Sequence, residues 1–245
     1  MTDLRCPIVE LRQYTLHSGQ RDVLIDLFDR EFVEPQEALG MTVLGQFRDL
    51  DDPDRFVWLR GFDDMPRRAQ ALEGFYGGPV WRAHRDEANA TMLDSDDVLL
   101  LRPAAADGGF PSPVDAERAL GALTPWAPSL ILATVWHSDR PFDAAFVEFF
   151  EQRVRPVLAE AGAEPLAYLQ SEHSPNTFPA LPVRTNEEAF VWFARFSDED
   201  HLADHLIRLQ NSQRWRAEVL PTLSQRWARA PQQLRLAPTE RSVLR

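Results

Sequence analysis

Residues 55–62 read Arg-Phe-Val-Trp-Leu-Arg-Gly-Phe, and residues 189–196 read Ala-Phe-Val-Trp-Phe-Ala-Arg-Phe. Phe56-Val57-Trp58 recurs as Phe190-Val191-Trp192, 134 residues on, and Trp81-Arg82 recurs at the same spacing as Trp215-Arg216. Self-similarity at a fixed spacing is the signature of a repeated structural unit. Upstream the spacing is 121, where Leu11 matches Leu132, Phe28 matches Phe149, and Val33-Glu34-Pro35 matches Val154-Arg155-Pro156. The 13-residue difference is absorbed near Ser174–Glu187, which carries Pro175, Pro179 and Pro182 and reads as an inserted surface loop.

Each half predicts the order strand, helix, strand, strand, helix, strand. Ile8–Leu16 alternates as a strand, and Gln20–Gln36 has apolar residues at helical spacing. Gly40 ends that helical region, Met41–Arg48 and Arg55–Phe62 are strands, and Asp63 caps a helix. A further helix follows from Pro79 to Met92, and Val98–Arg102 is the last strand. The second half repeats the order, with Ser197-x-x-Asp200 opening its helix at Asp198. This βαββαβ order is the ferredoxin-like motif. The expected fold class is α+β: two tandem ferredoxin-like domains in a dimeric-α+β-barrel-type arrangement. The first domain spans residues 1–104, a Pro- and Gly-rich linker 105–127, and a diverged second domain 128–245. A short helix is expected inside the linker, around Val114–Leu123. One sheet face is left bare by its helices and needs cover from the other half or from a second chain, so a homodimer is compatible with this reading.

Val9-Glu10-Leu11-Arg12-Gln13-Tyr14-Thr15-Leu16 looks like the opening strand of the NIPSNAP family, and Gly40-Met-Thr-Val-Leu-Gly45 resembles that family's second strand. Phe62-Asp-Asp-Met-Pro-Arg-Arg68 resembles its helix entry, and Gly78-Pro-Val-Trp81-Arg82 with Val98-Leu-Leu-Leu101 its final helix and strand. The second half lacks the Glu-Leu-Arg-x-Tyr signature and has Ile131-Leu-Ala133-Thr-Val135 instead. The resemblance implies a dimeric α+β-barrel fold and little about activity. That fold also serves cofactor-free monooxygenases, haem-handling enzymes and isomerases, an analogy of fold alone.

Composition narrows the chemistry. The chain has 245 residues and a net charge of −12, with 26 basic and 38 acidic residues; every basic residue is arginine. Without lysine there is no Schiff-base nucleophile and no phosphate-loop lysine. The lone Cys6 excludes an intramolecular disulfide and a multi-cysteine metal site. The acidic balance disfavours nucleic acid as a partner. No apolar run approaches the ~18 residues of a membrane span and the N-terminus shows no signal pattern, so a cytoplasmic protein with no membrane partner is expected.

Strand alternation sorts the candidate site. With Val9, Leu11, Val57, Leu59 and Gly61 packed on the helices, Glu10, Arg12, Tyr14, Phe56, Trp58, Arg60 and Phe62 would face the barrel interior. Ile131, Ala133, Val135, Phe190, Trp192 and Ala194 would line the interior of the second half, which is apolar. The first half is therefore the expected site. Arg12 and Arg60 would grip an anion by forked hydrogen bonds, with Glu10 beside them. Trp58 and Phe56 would stack on a planar ligand, and Tyr14 would polarise it. A cross-strand ion pair between Glu10 and Arg12 or Arg60 is the competing structural account.

His84, on a helix, is a candidate acid or base, with an exposed helical histidine as the alternative. His17 and His137 read as turn residues. His173 is a weak candidate beside Glu172. His201 and His205 stand at metal-ligand spacing but read as a solvated face, so neither a metal nor a cofactor is expected. Two functions remain. One is binding or conversion of a small planar or anionic metabolite in a barrel pocket, without metal or nucleotide. The alternative is a non-catalytic binding or assembly protein whose barrel is filled by its own side chains.

Overall fold

The computed structural model describes residues 6–110 and 129–245. The helix expected around Val114–Leu123, much of the linker, and residues 1–5 lie outside the described residues. The first half runs β1 (Ile8–Leu16), α1 (Arg21–Leu27), a π-helical turn (Phe28–Phe32), α2 (Val33–Glu37), β2 (Thr42–Asp49), β3 (Arg55–Phe62), α3 (Met65–Tyr76), α4 (Pro79–Thr91) and β4 (Met92–Pro103). The second runs β5 (Leu130–Ser138), α5 (Ala144–Phe149), a π-helical turn (Phe150–Val154), α6 (Arg155–Glu160), β6 (Pro165–Ser171), β7 (Glu188–Phe196), α7 (Glu199–Asn211), a π-helical turn (Trp215–Val219), α8 (Leu220–Ser224) and β8 (Gln232–Pro238).

Local chemistry sets the boundaries. Asp64 caps α3 by accepting from the Arg67 amide at 2.6 Å, and Asp198 caps α7 by accepting from the His201 amide at 2.8 Å. Each capping residue lies one position after the Asp63 and Ser197 expected from sequence. A carboxylate there satisfies a backbone N–H that the helix leaves open and suits the helix dipole. Gly40, with φ +87°, turns the chain from α2 into β2, a conformation that favours glycine.

The eight strands form one closed barrel in the order β1-β3-β2-β8-β5-β7-β6-β4, with antiparallel pairing throughout. Each half contributes four contiguous strands, and the halves join at β2–β8 and β4–β6. One chain thus closes the barrel and leaves no open sheet edge.

Strand pairing also corrects the expected spacing of the halves. β1 pairs Arg12 with Trp58, while β5 pairs Thr134 with Trp192. The first strands therefore correspond at a spacing of 122, so Leu11 matches Ala133 and not Leu132.

The expected strand faces are reversed in the first half. Val9, Leu11, Val57 and Leu59 fill the barrel interior together with Ile131, Ala133, Val135, Val191, Phe193 and Leu236. Tyr14, Phe56, Trp58 and Phe62 instead pack outward against helical residues such as Leu24, Phe28, Phe32 and Leu72. In the second half Ile131, Ala133 and Val135 do face inward, but Phe190, Trp192 and Ala194 pack against the helices. Both faces of this sheet are buried, so alternation separates two sets of side chains without saying which set meets the helices. The barrel centre is consequently a packed apolar core, and Tyr14, Trp58 and the other candidate residues lie in the layer outside it. Among the described residues, no helix is long and apolar enough to cross a membrane.

Candidate functional site

Glu10 is completely buried. Its Oε2 accepts from Arg12 Nη1 and from Arg60 Nε, each at 2.7 Å, and its Oε1 accepts from Arg68 Nε at 2.6 Å. All three arginine side chains are buried as well. Glu10 and Arg60 are cross-strand partners on β1 and β3, while Arg68 comes down from the buried face of α3. Burial alone would raise the Glu10 pKa; Arg60, Arg12 and Arg68 overcome it and hold the carboxyl well below the usual carboxylate range. One carboxylate thus faces three guanidiniums, a buried surplus of two positive charges. Burial pushes the Arg68 pKa down, with Glu10 acting against it.

Aromatic faces take up part of that charge. The Arg60 guanidinium lies 4.9 Å from the Trp58 ring centroid, and that of Arg12 lies 5.4 Å from Tyr14 and 5.5 Å from Trp58. Such contacts are worth about 2 kcal/mol when desolvated, less than the several kcal/mol that an unpaired buried ion costs.

The hydrogen-bond inventory is lopsided. Arg60 Nη2, Arg68 Nη2 and Trp58 Nε1 are buried without a partner, and each of these groups only donates. Gln46, the cross-strand neighbour of Trp58, has both amide atoms unpartnered. Arg12 Nε donates to the Tyr14 hydroxyl at 2.9 Å, and Arg60 Nη1 reaches the Tyr76 hydroxyl at 3.5 Å. Burial raises the Tyr14 pKa, with Arg12 partly opposing it, so the phenol keeps its hydrogen to donate. Among these open groups four are donors and one, Gln46 Oε1, is an acceptor.

Beside the cluster is a small cavity walled by Tyr14, Trp58, Phe28, Phe32, Tyr76 and Trp81, with Gln36 at its edge. It offers about 30 Å³ to the centre of a water-sized sphere, room for roughly two waters. Gln36 accepts from Arg60 Nη1 at 3.2 Å, which links the cavity to the charge cluster.

The structure brings Glu10, Arg12, Tyr14, Trp58 and Arg60 together as one group, but on the helix side of the sheet and not in the barrel. Phe56 supports the group from behind, its ring 6.3 Å from Tyr14 and 5.6 Å from Phe28, without lining the cavity. His84 sits apart on α4, partly exposed, with Nε2 3.5 Å from Glu31. His137 and His205 differ from expectation, since both are buried. His137 lies within β5, and His205 has Nδ1 3.2 Å from the Ala161 carbonyl. Among the described residues no group of three or more metal-ligating side chains occurs.

Arg68 escaped the strand-based reading. Its signal is helical: Met65, Arg68, Leu72 and Phe75 follow one buried stripe of α3, and an arginine on such a stripe needs a buried acid. In the second half the corresponding positions are Leu132 for Glu10, Thr134 for Arg12, Ala194 for Arg60 and Leu202 for Arg68. A sheet-and-helix layer of the same architecture is thus built there without these charges.

Three solved structures resemble nearly the whole chain. A candidate monooxygenase from Fusobacterium nucleatum is 11% identical with a TM-score of 0.57, covering 95% of this chain and 92% of that one. A second, from Lactobacillus acidophilus, is 12% identical with a TM-score of 0.53, covering 95% and 94%. An anthrone oxidase-like protein is 10% identical with a TM-score of 0.54, covering 95% and 91%. At these identities the likeness is one of fold. No curated protein matches the sequence. Residues 9–106 match the NIPSNAP family, and this stretch holds Glu10, Arg12, Tyr14, Trp58, Arg60 and Arg68.

Proposed function

We propose that the first half binds, and serves to convert, a small planar organic anion in the layer between its sheet and its helices. The observation that carries this reading is the buried surplus of two positive charges around Glu10, with open donors on Arg60, Arg68 and Trp58, next to an aromatic cavity that Trp58 lines. An anion would supply the missing charge and acceptors, and the aromatic walls would take its flat face. Arg60, Arg68 and Trp58 bind in this reading, while Tyr14 donates to an oxygen on which negative charge builds up. The ligand needs neither metal nor nucleotide. The names borne by the three full-length structural neighbours suit a small organic substrate. We also read the two halves as one ferredoxin-like unit used twice, with boundaries at residues 1–104 and 128–245, in a cytoplasmic protein.

The packed barrel interior favours a second reading, a non-catalytic binding or assembly protein. The test is calorimetry and thermal melting with benzoate and its neutral isostere benzamide. Under the first reading benzoate binds and raises the melting temperature, by mass action on the folded state, while benzamide does not. Equal effects of the two, or no effect of either, would remove the anion site.

A further inference from the structure

The cavity beside the cluster is too small for benzoate, so a ligand of that size enters only if a wall moves. The segment best placed to move belongs to the second half. Between β6 and β7 the chain leaves regular structure and crosses onto the first-half site. Its ends are tied to β4: the Glu172 amide donates to the Leu100 carbonyl and the Arg184 amide to the Val98 carbonyl, both at 2.8 Å. Arg184 also pairs with Asp97 at 2.9 Å.

The middle of this strap lies on α3. Arg68 Nη1 donates to Asn176 Oδ1 at 2.9 Å and to Thr177 Oγ1 at 3.2 Å. Thr177 Oγ1 donates to the Met65 carbonyl at 3.2 Å. Phe178 stacks on Tyr76, with centroids 5.8 Å apart and planes at 27°. Tyr76 is itself a wall of the cavity. Arg68 therefore has one nitrogen on Glu10, one on the strap, and a third, Nη2, without a partner.

We propose that residues 174–183 are the gate of the first-half site, with Asn176 and Thr177 as positioning residues that latch it onto Arg68 and Phe178 as the plug over Tyr76. The proposal rests on the ligand reading given above. Lifting the strap breaks two hydrogen bonds from Arg68, the one from Thr177 to the Met65 carbonyl and one ring stack, and it leaves the barrel ladders intact. It frees Arg68 Nη1 just as the site opens, so an incoming anion meets two unpaired nitrogens of one planar guanidinium, the arrangement that receives a carboxylate in forked fashion. When the strap closes again, Nη1 returns to Asn176 and Nη2 stays with the anion. Latch and ligand thus act through the same arginine. β2 and β3 of the first half are joined by a short turn with no such insertion, so the gate covers the charged site alone.

The experiment is stopped-flow binding of 2-naphthoate, read by quenching of tryptophan emission, in the wild type, Phe178→Ala and Asn176→Ala/Thr177→Ala. Both variants should associate at least fivefold faster and dissociate faster still, with affinity about tenfold weaker. General loosening of the fold would not speed association, which makes that rate the telling readout. If the wild type binds naphthoate and both variants associate within twofold of it, the gate is wrong while the site stands. Weaker binding with unchanged association would make the strap a fixed wall, which also overturns the gate. If the wild type binds neither naphthoate nor benzoate, the ligand reading falls and takes the gate with it.

Discussion

Arg68 reaches across 58 positions of sequence to place Nε 2.6 Å from Oε1 of Glu10. That contact joins α3 to β1, and it brings a third guanidinium to a carboxylate that already serves two. Removing the carboxylate charge should therefore cost far more than one hydrogen bond. Glu10→Gln leaves three buried guanidiniums uncompensated, and a loss on the order of 3–5 kcal/mol is expected from urea unfolding. Added benzoate should recover part of it. A variant with Glu10→Leu and Met at Arg12, Arg60 and Arg68 should stay within about 2 kcal/mol of wild type, because whole buried ion clusters exchange for apolar residues at little net cost. That variant should bind no benzoate. If it proves less stable than Glu10→Gln, the cluster is structural.

The element order was legible because each half announces itself twice, in β-favouring runs and in the Phe-Val-Trp repeat. The strand faces were not. Val9 and Leu11 are apolar and Glu10 and Arg12 are charged, yet both sets are buried, so hydrophobicity could not say which meets the helices. The missing information lay in α3 and α2, where Arg68 and Gln36 stand on buried faces. The pairing of Glu10 with Arg12 and Arg60, read as the competing structural account, does occur. It does not neutralise the site, because Arg68 tips the balance. The loop at 174–187 was legible from its prolines, but its seat on the other half depends on contacts 108 and 109 positions apart, which no local pattern carries.

Tyr14→Phe removes the acceptor of Arg12 Nε. A buried charged donor left open costs about 1–3 kcal/mol, and benzoate affinity should fall about tenfold as the hydroxyl donor disappears. Ultraviolet titration offers a separate check. The Tyr14 phenol should ionise above the ordinary tyrosine value of about 10, burial being the main cause. Its transition is the one that Tyr14→Phe deletes, and a normal titration for it would contradict the buried geometry.

Trp58 and Trp192 occupy matching register positions, but only Trp58 borders the small cavity and the arginines. Naphthoate quenching should therefore shrink strongly in Trp58→Phe and persist in Trp192→Phe. Both substitutions thin a buried aromatic layer and should cost similar stability, on the order of 1–2 kcal/mol. Equal loss of quenching in the two variants would place the ligand elsewhere.

His137 gives the fold a measurable pH dependence. Its Nε2 lies 2.8 Å from Arg229 Nη2, and a guanidinium can only donate, so Nε2 is the unprotonated nitrogen and the ring is neutral with its hydrogen on Nδ1. Burial, then Arg229 and Arg184, push the pKa down to about 4, with Glu187 acting weakly the other way. In the unfolded chain the ring titrates near 6.5. Between those values the unfolded state takes up a proton that the folded ring refuses, so stability should fall as the pH drops from about 6.5 toward 4. Above that window the ring is neutral in both states and adds no slope. The loss is bounded at about 3 kcal/mol by the size of the shift. His205, also buried and shifted down, acts in the same sense, so the wild-type slope alone does not isolate His137. His137→Gln should remove its share: with urea midpoints at pH 5.5 and 4.5 taken relative to each protein's own value at pH 7, the wild type should fall further than His137→Gln, and His205→Gln measures the part that remains. A slope left unchanged by His137→Gln would mean that the ring is protonated in the folded state, against the donor geometry of Arg229.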